Sequence, residues 1–345
     1  MKRNRSDLLK FFLHLHPLQI RESSAQFTYT FGLGGLALFS FLVTAATGIL
    51  LVFAYSPTPA SANNTLQYIA TVMQYGWYIR NLHYWAAQVM VIATVLHMIR
   101  IVLNGGYTGG RAFNWIIGIA LLVLVLLMDF TGYSLRWDVE SNDALMTGIN
   151  LIQGIPVIGD SICDLFTGGP DITESTLLHV YGWHITGLPV VSFVFMAYHF
   201  YLIRKDGGIS CNITDPWRKT VSREILLKKE IIFLLIAASV FNILTVIYAP
   251  ELGLSPETGH GIGVIKAPWI FLCVQFLLRY LHPFVAGITI PAVILLYWAS
   301  LPYLDGNIRT QGIWFSAERV KFWFPYMLSI LIIVMLSIAE LLLKE

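Results

Sequence analysis

Four histidines in a largely apolar sequence are the residues whose spacing could do chemistry. His83 and His97 stand 14 positions apart, His184 and His199 stand 15 apart. At 100° per residue, 14 positions return to within about 40° of the starting direction and 15 to within about 60°. On one helix, each pair shares a face and spans roughly 21–22 Å of the axis. Two helices running the same way then offer one imidazole each at two matching depths, His83 with His184 and His97 with His199. That arrangement grips two stacked six-coordinate haem irons. Such iron keeps no open position, so the chemistry is one-electron transfer. The bland reading is that these are polar residues pairing inside a bundle. It accounts for one intramembrane histidine, and poorly for four at matched depths. His179 has no counterpart, because Phe193 and Val194 stand where a partner would be; it reads as structural. His14, His16, His260 and His282 lie outside the apolar stretches and read as surface or interface residues.

Glycines repeat at the same interval. Gly34 and Gly48 stand 14 apart, as do Gly118 and Gly132. A cofactor plane between helices needs close approach, and glycine removes the side chain that would block it. Glycine is also common in membrane helix packing, so the repeated interval carries the argument rather than any single glycine. Arg80 and Arg100 lie within a turn of the histidine levels, where haem propionates need cations. Snorkelling to lipid head groups is the competing reading for both.

The elements that must position these residues are membrane helices. The chain has 345 residues, 56% hydrophobic and 12% charged, against about 25% charged for a soluble domain. Seven stretches reach the roughly 20 residues that cross a hydrocarbon core: 29–53, 78–103, 113–134, 178–203, 230–249, 284–304 and 322–342. The fold class predicted is all-α and integral to the membrane, with the first four of about seven spans forming a di-haem four-helix bundle. The segment 268–278 is too short to cross and predicts a surface or re-entrant helix. With the N-terminus inside, 17 Lys and Arg fall inside and 5 outside; this predicts a cytoplasmic N-terminus and an outer C-terminus. The basic, amphipathic start predicts a surface helix over 1–28. A polar, basic stretch at 205–229 divides four spans from three. Net charge is +2, which argues against nucleic acid. Cys163, Cys211 and Cys273 form no CxxC or CxxCH, which argues against a disulfide framework, a zinc ribbon and a standard c-type haem.

The chain resembles the cytochrome b/b6 family, the core subunit of bc1 and b6f quinol-oxidising complexes. The motifs that carry this are GGLALFSFLVTAATGILLVFAYSPTP, GWYIRNLHYWAAQVMVIATVLHMIR, TGYSLRWD, and IPVIGD followed later by MAYHFYLIRK. The 15-residue interval resembles the b6 branch, and 216–345 resembles subunit IV fused to a b6-like part at 29–215. The resemblance implies two haem b, an outer one on His83 and His184 and an inner one on His97 and His199. It implies quinone, as menaquinone or ubiquinone, with an outer oxidising pocket and an inner reducing one near Pro268, Trp269, Arg136 and Arg204. It further implies Rieske-type iron–sulfur or c-type cytochrome partners, a dimeric complex, and a bacterial cytoplasmic membrane.

Three departures stand out. The family's Pro-Glu-Trp-Tyr reads Ala267-Pro268-Trp269-Ile270, so the carboxylate that takes a proton from quinol is missing. Glu251, Glu257, His260 and Asp138 are the candidate substitutes. The family's GYxLPW reads GYSLRW, with Arg136 for proline. Ser40 stands where the b6 branch tethers an extra haem through cysteine, so no covalent haem is expected, and the site of an untethered one stays open. These changes cluster on the outer pocket and support a second reading, a transmembrane conduit without quinol bifurcation. A ferric-reductase-like flavocytochrome would need a flavin and nicotinamide domain, of which the sequence carries no fingerprint. A histidine-relay transporter would show broken helices and inverted repeats.

Overall fold

The structure is a computed structural model in which residues 19–22, 25–169, 173–211, 219–258 and 265–343 are described. Seven helices among them are long and apolar enough to cross a membrane: α1 (Leu33–Val52), α2 (Gly76–Leu103), α3 (Ala112–Ser134), α4 (Ser175–Lys205), α5 (Arg223–Ile247), α6 (Phe284–Leu304) and α7 (Ala317–Leu342). Their faces are apolar nearly all round, because lipid replaces water outside and packed neighbours replace it inside. Each expected span lies on one of them.

Helix α1 packs on α2, α2 on α3 and α3 on α4. The other three spans embrace this group: α5 lies on α2 and α1, α6 on α3, and α7 on α2 and α6. Aromatic side chains seal the contact. The Trp115 indole donates to the Trp298 carbonyl at 2.7 Å, and the Trp298 indole to Ser329 Oγ at 3.1 Å. Met98, Val102, Trp115, Ile119 and Leu122 share one buried cluster with Trp298, Leu301 and Tyr326. At the α2–α3 turn, Tyr107 donates to the Asp305 carboxylate at 2.8 Å. Burial, with Asp305 beside it, pushes the Tyr107 phenol up and keeps it a donor. Gly105, at φ +62°, leaves room for the buried Arg319: a Cβ there would stand 1.0 Å from Nη1. Arg319 Nε lies 3.2 Å from the same Asp305.

One expectation needs correction. The surface helix expected over 1–28 does not extend through 19–21. Gln19–Arg21 is a strand, β1, paired antiparallel with β2 (Thr220–Ser222), Ile20 opposite Val221. The two segments are remote in sequence, and an amphipathic pattern does not reveal that each finds its backbone partner in the other. A short helix, Phe27–Thr30, follows; residues 1–18, with His14 and His16, lie outside the described residues. The 268–278 segment is a short turn-and-helix, Trp269–Leu278, packed on α7.

Candidate functional site

His83 on α2 faces His184 on α4, with ring centroids 6.3 Å apart and planes at 70°. An imidazole nitrogen–metal bond is about 2 Å. Two such bonds plus the two ring radii come to about 6 Å, so one iron fits between these rings. Their other nitrogens are held. His83 Nδ1 lies 2.9 Å from Thr47 Oγ1, and His184 Nδ1 lies 3.1 Å from Thr131 Oγ1. Each threonine hydroxyl already donates down its own helix, Thr47 to the Val43 carbonyl at 2.7 Å and Thr131 to the Leu127 carbonyl at 2.8 Å. The oxygen is therefore left to accept, Nδ1 carries the proton, and Nε2 presents a lone pair to the gap. Fixing the ligand's tautomer through its far nitrogen is a usual device of metal sites.

One level further along the same helices, His97 and His199 border a common cavity of 190 Å³. Gly34 and Gly118 line it too, and Arg100 and Arg111 stand at its edge. Arg100 is buried; its Nε donates to the Tyr29 carbonyl at 3.0 Å and its guanidinium stacks 4.5 Å from the Tyr29 ring. Arg100 Nη2 is buried with no hydrogen-bond partner among the described residues. A buried cationic donor left open beside a cavity is what a carboxylate-bearing ligand would satisfy. The donor set therefore fits haem at both levels.

All four glycines back the histidines. A Cβ on Gly34 would meet His97 Cε1 at 3.3 Å, on Gly48 His83 Cε1 at 3.2 Å, on Gly118 His199 Cε1 at 3.9 Å, and on Gly132 His184 Cε1 at 2.7 Å. The room that glycine makes is filled by the imidazole ring itself, a more local role than clearance for a cofactor plane.

The remaining candidates divide. Arg80 donates from Nη1 to the Pro250 carbonyl at 2.9 Å, tying α2 to the loop after α5. Arg136 pairs with Asp138, which is fully buried. Burial alone would lower its guanidinium, but Asp138, Tyr133 and Glu140 together outweigh that and hold it above the usual arginine value. Trp269 donates from its indole to Gln88 Oε1, which ties the 268–278 segment to α2 five residues after His83. Arg204 lies near the C-terminal end of α4, in the field of Arg223 and Glu230. His179 reaches back to the Ser175 carbonyl at 2.8 Å and His282 accepts from the Phe284 amide at 3.3 Å, as structural residues do. Ser40 is fully buried; His260 lies outside the described residues. Sequence reasoning missed Thr47, Thr131 and Arg111. A threonine one residue before a histidine-spaced glycine, at 47 and again at 131, was the available signal.

The sequence model of the family described as cytochrome b/b6/petB matches residues 19–207. The chain belongs to the cytochrome b/b6 family. Among its relatives, cytochrome b6 of Gracilaria tenuistipitata var. liui is 41% identical over 175 residues, covering 51% of this chain and 81% of that protein. Cytochrome b6 of Acaryochloris marina (strain MBIC 11017) matches to the same extent, 41% over 175 residues. A chain of a solved structure titled hyperthermophilic respiratory Complex III superposes with a TM-score of 0.81 over 99% of this chain and 91% of that one, at 22% identity. That likeness extends the family fold through α5, α6 and α7, beyond the family match.

Proposed function

We propose that this chain is the di-haem b subunit of a membrane quinol:cytochrome oxidoreductase complex, moving electrons across the bilayer between two bis-histidine sites. The observation that carries it is the facing pair His83 and His184, 6.3 Å apart, repeated one level on by His97 and His199 around one cavity. Haem b supplies one-electron chemistry when bound. The chain's own residues do the rest. Thr47 and Thr131 orient the outer imidazoles, the glycines let both helices close on them, and Arg100 offers a buried cation to a propionate. Membership of the cytochrome b/b6 family supports haem b as ligand, and the motif resemblance drawn from the sequence implies quinone as substrate. The excess of Lys and Arg at one membrane face supports a cytoplasmic N-terminus, with the His83–His184 level outside. Residues 29–215 would form the haem-bearing part and 216–345 its subunit IV-like complement. A Rieske-type or c-type cytochrome subunit would be the outer partner, in a dimeric complex of a bacterial cytoplasmic membrane.

The test is the reduced-minus-oxidised spectrum of the purified complex with His97→Ala or His199→Ala. Loss of the inner b-haem signal with retention of the outer is expected; unchanged pigment and bands would refute the assignment. The conduit reading, without quinol bifurcation, is favoured by Pro268 in place of the family's glutamate. Oxidant-induced reduction of the b haems, abolished by an outer-pocket inhibitor, would exclude it.

A further inference from the structure

The carboxylates that the sequence offered in place of the missing glutamate are poorly placed. Asp138 is fully buried, but Oδ1 accepts from the Ser141 amide, and Oδ2 from Arg136 and the Gly253 amide. Glu251 and Glu257 are exposed on the loop after α5. A different carboxylate stands inside the membrane span. Asp129 interrupts the apolar run LLVLVLLMDF of α3, three residues before Gly132. An intramembrane carboxylate is costly unless something uses it. Among the described residues no cationic side chain lies within ion-pair distance of it, and one hydrogen bond reaches it, from Gln88 Nε2 to Oδ1 at 3.0 Å.

That bond has a direction imposed from the loop. Because Trp269 donates to Gln88 Oε1, the amide's NH2 end must turn toward Asp129. The chain Trp269–Gln88–Asp129 therefore starts in the Ala-Pro-Trp-Ile stretch and ends on a carboxylate whose Oδ2 stays available. Its chain neighbours on α3 pack against the same loop segment: Ile270 lies on the Met90, Val125 and Met128 cluster, and Phe271 meets Phe130 edge-on at 5.7 Å. Tyr84 on α2 is the titratable group in the field of Asp129, and around Tyr84 stand Tyr248, Arg80 and Arg136, the last paired with Asp138.

We propose that Asp129 binds a hydroxyl of quinol in the outer pocket and accepts its proton, with Gln88 and Trp269 as positioning residues. Quinol loses two electrons and two protons to become quinone. One proton goes to Asp129 Oδ2 and the other to outer water. One electron passes to the outer haem and one to a one-electron acceptor on the outer face, an iron–sulfur or c-type cytochrome centre. This rests on the quinol-oxidising reading above.

Asp129→Asn separates this role from a structural tie, since Asn Oδ1 accepts the same Gln88 bond but takes no proton. The haem-loaded complex is reduced with decylubiquinol at a series of pH values, and separately with dithionite. D129N should keep its b-haem content and dithionite spectrum. It should slow quinol-driven haem reduction by about 10²-fold or more, lose the wild-type rise of that rate with pH, and lack a carboxyl band in the quinol-induced infrared difference spectrum. Asp129→Glu should restore much of the rate. D129N with the wild-type rate and pH profile overturns the assignment. Should D129N not assemble, Trp269→Phe carries the test: it frees the Gln88 amide and should shift the pH midpoint, and an unmoved profile overturns the proposal. A wild-type complex that dithionite reduces and decylubiquinol does not would refute quinol oxidation as a whole, a result distinct from a neutral D129N.

Discussion

An alanine at Gly132 would put its Cβ 2.7 Å from Cε1 of His184, inside van der Waals contact, whereas one at Gly118 would stand 3.9 Å from the His199 ring. The first must displace a ligand ring that Thr131 also holds; the second makes an ordinary contact. Overpacking of this kind costs about 1–3 kcal/mol. Gly132→Ala is therefore expected to lose or distort the outer b-haem signal while Gly118→Ala keeps both haems, as read from the α-band after stepwise reduction. At this scale the histidines and glycines were legible, because a shared interval of 14 or 15 is written in the sequence itself. What each glycine touches was not, nor was the Gln88–Trp269 bond, which joins residues 181 positions apart. Thr131→Val makes a second test. It removes the hydroxyl that accepts from His184 Nδ1, so the outer haem midpoint potential should shift while the inner stays, by redox titration.

Helix α4 meets α2 at both levels despite an interval one residue longer, and the reason is a turn that sequence periodicity does not show. Trp183–Gly187 is π-helical, with the Leu188 amide reaching the Trp183 carbonyl five residues back. The following Pro189 has no N–H to donate and crowds the preceding turn, which favours the wider winding. One residue is absorbed in the π turn, and the 15-residue interval then behaves like 14 α-helical steps. His184 sits in that turn. The same device recurs at Phe284–Thr289, followed by Pro291. Helix α2 has no such slack. Inserting one alanine after Ile92 would rotate its inner half by about 100° and carry His97 away from His199. The expected outcome is haem content falling by half, measured as pyridine haemochrome per protein, with the outer haem retained.

Helices on the two sides of the polar stretch at 205–229 pack closely together. The spans themselves were legible, because lipid demands about 20 apolar residues and a satisfied backbone at each crossing. Their mutual packing was not, since lipid-facing and helix-facing residues are both apolar. Side chains from both sides of the junction share one core around Trp115, Trp298 and Tyr326, and Asn81 donates to the Thr245 carbonyl at 3.3 Å across the α2–α5 contact. Within a membrane such contacts act through close packing and hydrogen bonds more than through expulsion of water. Packing of this extent does not need a covalent link, so 1–215 and 216–345 expressed together as two chains should assemble with both haems. Trp298→Ala removes an aromatic ring, opens a cavity worth about 3–5 kcal/mol and leaves Ser329 without its indole partner. In the two-chain version that loss falls directly on association. A tag on 216–345 should then recover much less haem-bearing 1–215 than from the unaltered pair, while the same substitution in the continuous chain leaves the haem spectrum intact, because the four histidines and their glycines all lie on α1 to α4.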